Sequence, residues 1–279
     1  MKIITIAIIT LGRTSLYKTL SSLFTQKIDR NFEIILILQG TIDMSIINSI
    51  NLISVPVHVY EFKVGLWFWY YRNQALRMAS GNVVAFIDDD EWTMDDKWLF
   101  NLTIPIFSWY CNVVTSGCHV PQTSSYFTNS ISSLGYPGGG SIWFTSLWNV
   151  DWEWFTKHLC SGNFAINRDI LDVEFSENAH FWGEDNKLAR LLCERNIQIL
   201  YQPTATVYHQ PRNLKESIIW WRNRNKSARA LIKSWWLEEP IFSKILRKFF
   251  IYLKPDIYLP GRLFLFIVQL LLFITYSHE

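Results

Sequence analysis

Ile3 to Ile9 is a near-continuous run of β-branched residues, the pattern of a strand buried on both faces. Thr10 to Thr14 reads as a turn, and Ser15 to Phe24 carries Leu16, Leu20 and Leu23 at helical spacing. Phe32 to Leu38 predicts a second buried strand, ending at Gln39-Gly40, and Val57 to Phe62 a shorter third. Leu66 to Met78 predicts a helix stopped by Ser80-Gly81. Asn82 to Ile87 is the fourth strand. Strands that alternate with helices predict a largely parallel sheet covered on both faces. In such sheets ligands sit beyond the carboxyl ends of the strands, where Thr10, Gln39 and Asp88 all fall.

The segment from Cys118 to Trp154 breaks this rhythm with Ser-Ser pairs, a Pro137-Gly138-Gly139-Gly140 loop, and Trp143, Trp148, Trp152 and Trp154. Such glycines suit a loop that opens and closes. Tryptophan faces suit sugar C–H groups, although indoles also fill cores, so two of the four at most are expected to meet a ligand. Ser161 to Ile166 reads as another strand. Gly183-Glu184-Asp185 opens a helix with Leu188, Leu191 and Leu192 on its buried side, and Ile197 to Tyr201 and Ala205 to Tyr208 read as closing strands.

From Glu216 onward bases and indoles mix: Trp220, Trp221, Arg222, Arg224, Lys226, Arg229, Lys233, Trp235 and Trp236, then Lys244, Arg247, Lys248 and Lys254. A helix of that composition suits a membrane interface, its cations toward lipid phosphates. Leu263 to Tyr276 is strongly apolar but shorter than the roughly 20 residues a spanning helix needs. An in-plane anchor, a dimer surface or packing on the protein's own core all remain open for it.

Within this frame the run Asp88-Asp89-Asp90-Glu91 stands out. Four consecutive acids at a strand end repel one another and call for positive charge. In extended backbone Asp88 and Asp90 would share a face while Asp89 points away. Two carboxylates on one face suit a hard divalent cation that also holds phosphate oxygens. Capping of a helix from Trp92 to Leu102 would explain one or two of these acids, but not three aspartates in a row.

The bulk numbers narrow the classes. The net charge of +2 gives no strong nucleic-acid steering. Aromatics at 16% against 18% charged residues leave apolar material beyond a core for a membrane or sugar surface. Cys111, Cys118, Cys160 and Cys193 show no CxxC spacing and read as free thiols. The apolar N-terminus stops at Thr10, without a small-residue cleavage site, and reads as the first strand of a cytoplasmic protein. His58, His119, His158 and His180 lack ligand spacing and read as structural.

Several motifs in order carry a resemblance. Tyr71-Arg72-Asn73-Gln74-Ala75-Leu76 with Ala79-Ser80-Gly81, then Phe86-Ile87-Asp88-Asp89-Asp90-Glu91, Ser161-Gly162-Asn163-Phe164-Ala165-Ile166, Gly183-Glu184-Asp185 and Val207-Tyr208-His209 together resemble a family 2 glycosyltransferase of the GT-A fold. The likeness is strongest to bacterial exopolysaccharide and lipopolysaccharide sugar transferases. It implies an α/β fold, a Rossmann-like, mostly parallel mixed sheet flanked by helices, followed here by an amphipathic helical extension. It also implies an enzyme with Mn²⁺ or Mg²⁺, a nucleotide-sugar donor and a glycan or lipid-linked glycan acceptor.

By that resemblance Asp90 and Asp88 would hold the metal, His209 completing its shell, while Asp88 and Asp89 also face the nucleotide. Asp185 would be the catalytic base of an inverting transfer, with Glu184 orienting acceptor hydroxyls. Thr10, Gly12, Arg13, Gln39, Arg72 and Asn73 would line the donor, and Trp143, Asn163, Trp182 and Arg212 the acceptor. Arg72 fits the diphosphate, the acidic run or a structural salt bridge equally well. Where the family usually ends its second strand in a base-reading aspartate, this chain has Gln39. Its amide both accepts and donates, so UDP is the expected nucleotide while GDP and dTDP stay open. The expected division is residues 1–212 as the transferase domain, with a nucleotide-sugar half to about 117 and an acceptor half from 118. Residues 213–279 would form a segment at the cytoplasmic face of the inner membrane. The competing readings are an inactive nucleotide-sugar-binding or assembly subunit, and a non-enzymatic membrane-interface protein whose acids only cap a helix.

Overall fold

The computed structural model describes residues 3–41, 55–134, 150–170, 175, 184–233, 246, 249–250 and 252–275. Two compact units emerge: residues 1–118, 149–179 and 184–209 in the first, and residues 119–148, 180–183 and 210–279 in the second. In chain order the strands are β1 Ile4–Thr10, β2 Phe32–Gln39, β3 Val57–Phe62, β4 Val83–Ile87, β5 Glu91–Thr93, β6 Val113–Thr115, β7 Cys118–His119, β8 Phe155–Thr156, β9 Asn163–Asn167, β10 Ile199–Tyr201 and β11 Val207–His209. The helices are α1 Ser15–Leu23, α2 Phe68–Met78, α3 Trp98–Phe107, α4 Tyr126–Ser132, α5 Glu184–Glu194, α6 Leu214–Lys233 and α7 Leu259–Thr275.

The first unit is built on an eight-stranded sheet of order β3-β2-β1-β4-β9-β6-β10-β8. β1, β2, β3 and β4 run parallel, β9 runs antiparallel to both β4 and β6, and β10 is parallel to β6. All seven residues of β1 and all five of β4 are buried, which is why both read as unbroken apolar runs rather than alternations. Each such Ile, Val or Phe contributes about 1.5–3 kcal/mol by leaving water. Gly81 lets the loop into β4 lie against β1: a Cβ there would stand 2.7 Å from the backbone of Ile3 and Thr5. A second sheet of order β5-β11-β7 follows the acidic run.

The capping reading of the acids needs a helix that starts at Trp92. Trp92 lies in β5, not at a helix start, and α3 begins only at Trp98. The pairing of β5 with β11 won this segment: Trp92 sits opposite Tyr208, their rings 5.8 Å apart, with the Lys18 ammonium 3.3 Å over the indole.

The second unit is helical. α7 buries Leu265 and Phe266 against Ile131 of α4 and Leu134 just after it, Trp220 and Trp221 of α6, and Tyr252. Trp220 and Trp221, expected at a membrane interface, are therefore core residues; their helical spacing is shared by both environments. Trp235 and Trp236 lie outside the described residues. Arg262 is fully buried yet satisfied: it donates to Ser133 Oγ, to the carbonyls of Tyr252 and Lys254 and to Asp256, whose Oδ1 is 2.8 Å away. The outer side of α7 exposes Phe264, Ile267, Leu271 and Ile274. Among the described residues no helix is long and apolar enough to cross a membrane.

At the amino edge of the sheet, Glu33 accepts hydrogen bonds from Thr5 Oγ1 at 2.6 Å and Ser80 N–H at 2.9 Å, with His58 3.6 Å away. Burial pushes its carboxyl up, but these partners outweigh burial and leave it below the ordinary glutamate value. The unfolded chain therefore binds this proton more readily. The stabilisation is complete above the ordinary glutamate value near pH 4.5 and is lost as pH falls through the lower folded value. Urea titrations of Glu33→Gln should show lower stability at pH 7 and a shallower loss on acidification than the parent; parallel curves would remove Glu33 as a source.

Candidate active site

The site forms where β1 and β4 end. After Ile87 the chain leaves the strand and turns, the Glu91 N–H donating to the Asp88 carbonyl at 3.1 Å. The extended-backbone expectation for the acids therefore does not hold: each aspartate faces a different partner. Thr19 of α1 pins the turn, its hydroxyl donating to the carbonyls of Asp89 and Glu91.

Asp89 turns inward. It accepts from Thr10 Oγ1 at 2.8 Å and Leu11 N–H at 3.4 Å, with Arg13 3.9 Å away. Burial drives its carboxyl up to about 6, against the lowering effect of the Thr10 bond. Thr10 is itself buried, and its hydroxyl accepts from Gly12 N–H at 2.9 Å, Gly12 taking φ +72° to close that turn. Thr10, Gly12 and Asp89, expected to touch the donor, are thus tied to one another at the end of β1. Arg13 keeps 55% of its side chain exposed at the mouth. Gln39, half-buried, ends β2 on the same carboxyl edge.

Asp90 faces His209. The His209 Nε2 lies 3.6 Å from Asp90 Oδ2, beyond hydrogen-bond distance but close to the roughly 3 Å that separates neighbouring ligands of one small cation. A carboxylate and an imidazole are fitting donors for Mn²⁺. Among the described residues no group of three or more His, Cys, Asp or Glu side chains is arranged to hold a metal by itself. The pair suits a cation that takes its remaining ligands from phosphate and water.

Asp88 meets Arg72. The Arg72 guanidinium, 3% exposed, has its Nη2 3.4 Å from Asp88 Oδ1, its Nε 3.4 Å from Glu184 Oε1, and donates from Nη1 to the Ser161 carbonyl at 2.7 Å. Its walls are the rings of Phe86 and Phe175, 5.7 and 5.9 Å away. Phe86 stacks on Phe164 at 4.6 Å across the β4–β9 pair. Burial works against the charge of Arg72, but Asp88, Glu184 and Asp185 outweigh it and hold the guanidinium protonated. Burial raises the Asp88 carboxyl, Arg72 opposes this and the charge of Asp90 adds to it.

Glu184 and Asp185 open α5, as their sequence position predicts. Asp185 Oδ1 accepts from Asn186 N–H at 2.7 Å, and its charge is felt by both Arg72 and His158. His158 is held low by burial and raised by Asp185. Its nearness to Asp185 carries no sequence signal, because β8 brings it there from a loop. Asp88, Asp89, Asp90, Arg13, Arg72, Glu184, Asp185 and His209 are thus brought to one edge of one unit.

Other expectations fare differently. Asn73 is buried and exchanges two hydrogen bonds with the backbone of Phe175, at 2.8 and 3.0 Å; it holds the wall of the Arg72 pocket rather than a donor. Asn163, fully buried, accepts from Trp98 Nε1 and donates to the carbonyls of Gly117 and Ala205, so it ties strands together instead of meeting an acceptor. Arg212 belongs to the second unit, 5.5 Å from the Trp220 ring. Trp143 and Trp182 lie outside the described residues.

Two residues were given no site role by the sequence reading. Glu91 is fully buried and accepts from the Cys118 thiol at 2.9 Å and Asp88 N–H at 3.3 Å. Burial, then the charge of Asp88, lifts its carboxyl well above the glutamate range. Gly162 is the floor beneath both acids: a Cβ there would lie 2.7 Å from Asp88 Oδ2 and 2.8 Å from Glu91 Oε2. The signals available were the acidic run for Glu91 and, for Gly162, the Ser161-Gly162 pair, which forms a turn before β9 and not the start of the expected strand.

With this geometry in view, likeness to known proteins becomes informative. The chain matches the family described as glycosyl transferase family 2 over residues 5–175, well over half its length, and it belongs to that family. It is a glycosyltransferase by family and fold. No curated protein matches it by sequence. Among solved structures, the mannosyltransferase PcManGT from Pyrobaculum calidifontis in complex with GDP-Man and Mn²⁺ has a TM-score of 0.61 at 15% identity, covering 93% of this chain and 72% of that one. GalNAc-T7 with UDP, GalNAc and Mn²⁺ has a TM-score of 0.60 at 17% identity, covering 76% of this chain and 44% of that one. Residues 1–349 of TarS from S. aureus give 0.52 at 14% identity, covering 99% and 73%. Identities this low establish the fold alone.

Removing one partner of a buried ion pair costs about 3–5 kcal/mol. Arg72→Met should therefore destabilise the chain by about that amount in urea. Arg72→Lys retains charge without the planar fork and should recover part of the loss. Equal stability of Arg72→Met and the parent would mean that the guanidinium is not what holds Asp88 and Glu184.

Proposed function

We propose that this chain is an inverting, metal-dependent glycosyltransferase that moves one sugar from a nucleoside diphosphate, with UDP as the preferred base, to a glycan or lipid-linked glycan of a bacterial surface polysaccharide. One observation carries the reading: a single buried guanidinium meets Asp88 of the acidic turn and Glu184 beside Asp185. Donor-side and acceptor-side acids are thereby kept at one edge of one sheet.

Asp90 and His209, with Asp88 beside them, would hold Mn²⁺ or Mg²⁺, and the bound cation would neutralise charge on a departing diphosphate. Asp185 takes the proton of the acceptor hydroxyl as that hydroxyl attacks the anomeric carbon. Attack opposite the leaving group inverts the configuration. Glu184, anchored by Arg72, orients the acceptor and fixes the start of α5. Arg13 meets nucleotide phosphate at the mouth, and the amide of Gln39 accepts from the uracil edge. That the solved neighbours were complexed with GDP-Man or UDP and with Mn²⁺ supports a nucleotide-sugar and a divalent cation.

Residues 1–212 serve as the transferase domain, and residues 213–279 seat it on the cytoplasmic face of the inner membrane. The apolar side of α7 that exposes Phe264, Ile267, Leu271 and Ile274 supports such a seat, with Lys244, Arg247, Lys248 and Lys254 nearby in sequence for anionic headgroups.

Mn²⁺ with UDP should raise the melting temperature of the parent, and Asp90→Ala should lose that shift. Asp185→Asn should keep it while turnover falls about 10²–10⁴-fold. Near-normal turnover by Asp185→Asn would place the base elsewhere; an unchanged shift in Asp90→Ala would remove that residue from the cation. For the membrane seat, Ile267→Asp with Leu271→Asp should lower co-flotation with anionic vesicles severalfold, and undiminished flotation would exclude the α7 face.

A further inference from the structure

The carboxyl edge of the sheet does not end at the acids. Ile87 of β4 pairs with Asn163, Phe164 with Thr115 at the end of β6, Thr115 with Tyr201 at the end of β10, and Leu200 with Phe155 of β8. Trp154, just before β8, therefore stands on the same edge as Asp88, four strand spacings away, or about 19 Å.

That far rim is aromatic and exposed. Trp154 stacks on Tyr201, at the end of β10, with ring centroids 6.3 Å apart at 18°. Trp152 and Trp154 each expose at least half of their surface. The loop that presents them is built for it: Asp151 Oδ1 accepts from the N–H groups of Glu153 at 3.0 Å and Phe155 at 2.8 Å, and Tyr201 N–H donates to the Trp154 carbonyl at 2.7 Å. Trp154 holds left-handed backbone, φ +69°. Bulky side chains avoid that region unless the surroundings impose it, and such strain collects at binding sites.

We propose that this rim is a subsite for an extended, uncharged glycan, the distal part of a polymeric acceptor whose end reaches Asp185. The inference rests on the glycosyl-transfer reading above and deepens it. Flat, paired rings suit the C–H faces of successive sugars, and Tyr and Trp add polar edges for hydroxyls. Exposed Asp151 and Glu153 flank the rings, accept hydrogen bonds from hydroxyls and repel anionic polymers, which commits the site to a neutral chain. The rim is continuous with the catalytic edge through paired strands, so one chain spanning both needs several sugar units.

The test is isothermal titration of the full chain with malto-, cello-, manno- and chito-oligosaccharides of one to six units, with dextran sulfate as the anionic comparison. At least one series should tighten with length. Trp154→Gly suits the left-handed backbone while removing the indole, and should weaken the long oligomer about two- to tenfold, flattening the length dependence. Tyr201→Leu, which keeps bulk without a ring, should do the same. The rim is overturned if no series gains with length, if both variants retain the gain, or if dextran sulfate binds more tightly than every neutral oligomer. The Mn²⁺ and UDP melting shift of the parent, measured in parallel, separates the two readings. A shift without oligomer binding sinks the rim alone, and absence of the shift sinks the donor site.

Discussion

A guanidinium without water around it governs the arrangement of this molecule. Arg72 is buried beside two aromatic rings, where a bare cation is strongly disfavoured, so carboxylates must come to it. Asp88 and Glu184 do, at 3.4 Å each. The dependence runs both ways. Asp88, Asp89, Asp90 and Glu91 would repel one another at the end of a buried strand, and the cation relieves part of that repulsion. The walls of its pocket are themselves tied down. Phe86 and Phe164 stack across paired strands, and Asn73 fixes the backbone of Phe175. Packing in the sheet thus sets where charge can sit in the site.

The turn after Ile87 gives each acid its own surroundings. Asp89 is walled in by Thr10, Asp90 stands beside His209, Asp88 leans on Arg72 and Gly162, and Glu91 is sealed against Cys118. Burial is the largest influence on the proton affinities of Asp88, Asp89 and Glu91, and all three carboxyls are raised. One short segment thus packs against β1, meets the imidazole of His209 and, through Arg72, anchors a neighbouring helix.

The helical unit follows another logic. α7 is apolar on two sides, of which one is packed. Leu265 and Phe266 fill the core with α4 and α6, while Phe264, Ile267, Leu271 and Ile274 remain outside. Periodicity could locate such a helix but could not divide its faces, since both are lined with the same residue types. The same ambiguity misassigned Trp220 and Trp221, whose indoles fit a core as readily as an interface.

The chain itself determined its strands, because β1, β2 and β4 are apolar on both faces and only a doubly covered sheet accommodates that. It likewise marked the acidic run and the Glu184-Asp185 helix start, since runs of like charge next to buried segments have few structural explanations. Their partners were decided in three dimensions. The choice of Arg72 between phosphate, acids and a structural bridge, the diversion of Asn73 and Asn163 into holding backbone, the short strand at Trp92 and the nearness of His158 to Asp185 all depend on contacts between residues dozens of positions apart. Local spacing reports the periodicity of a backbone. Which groups share a low-dielectric pocket is set by how the strands pair, and that pairing is a property of the folded chain alone.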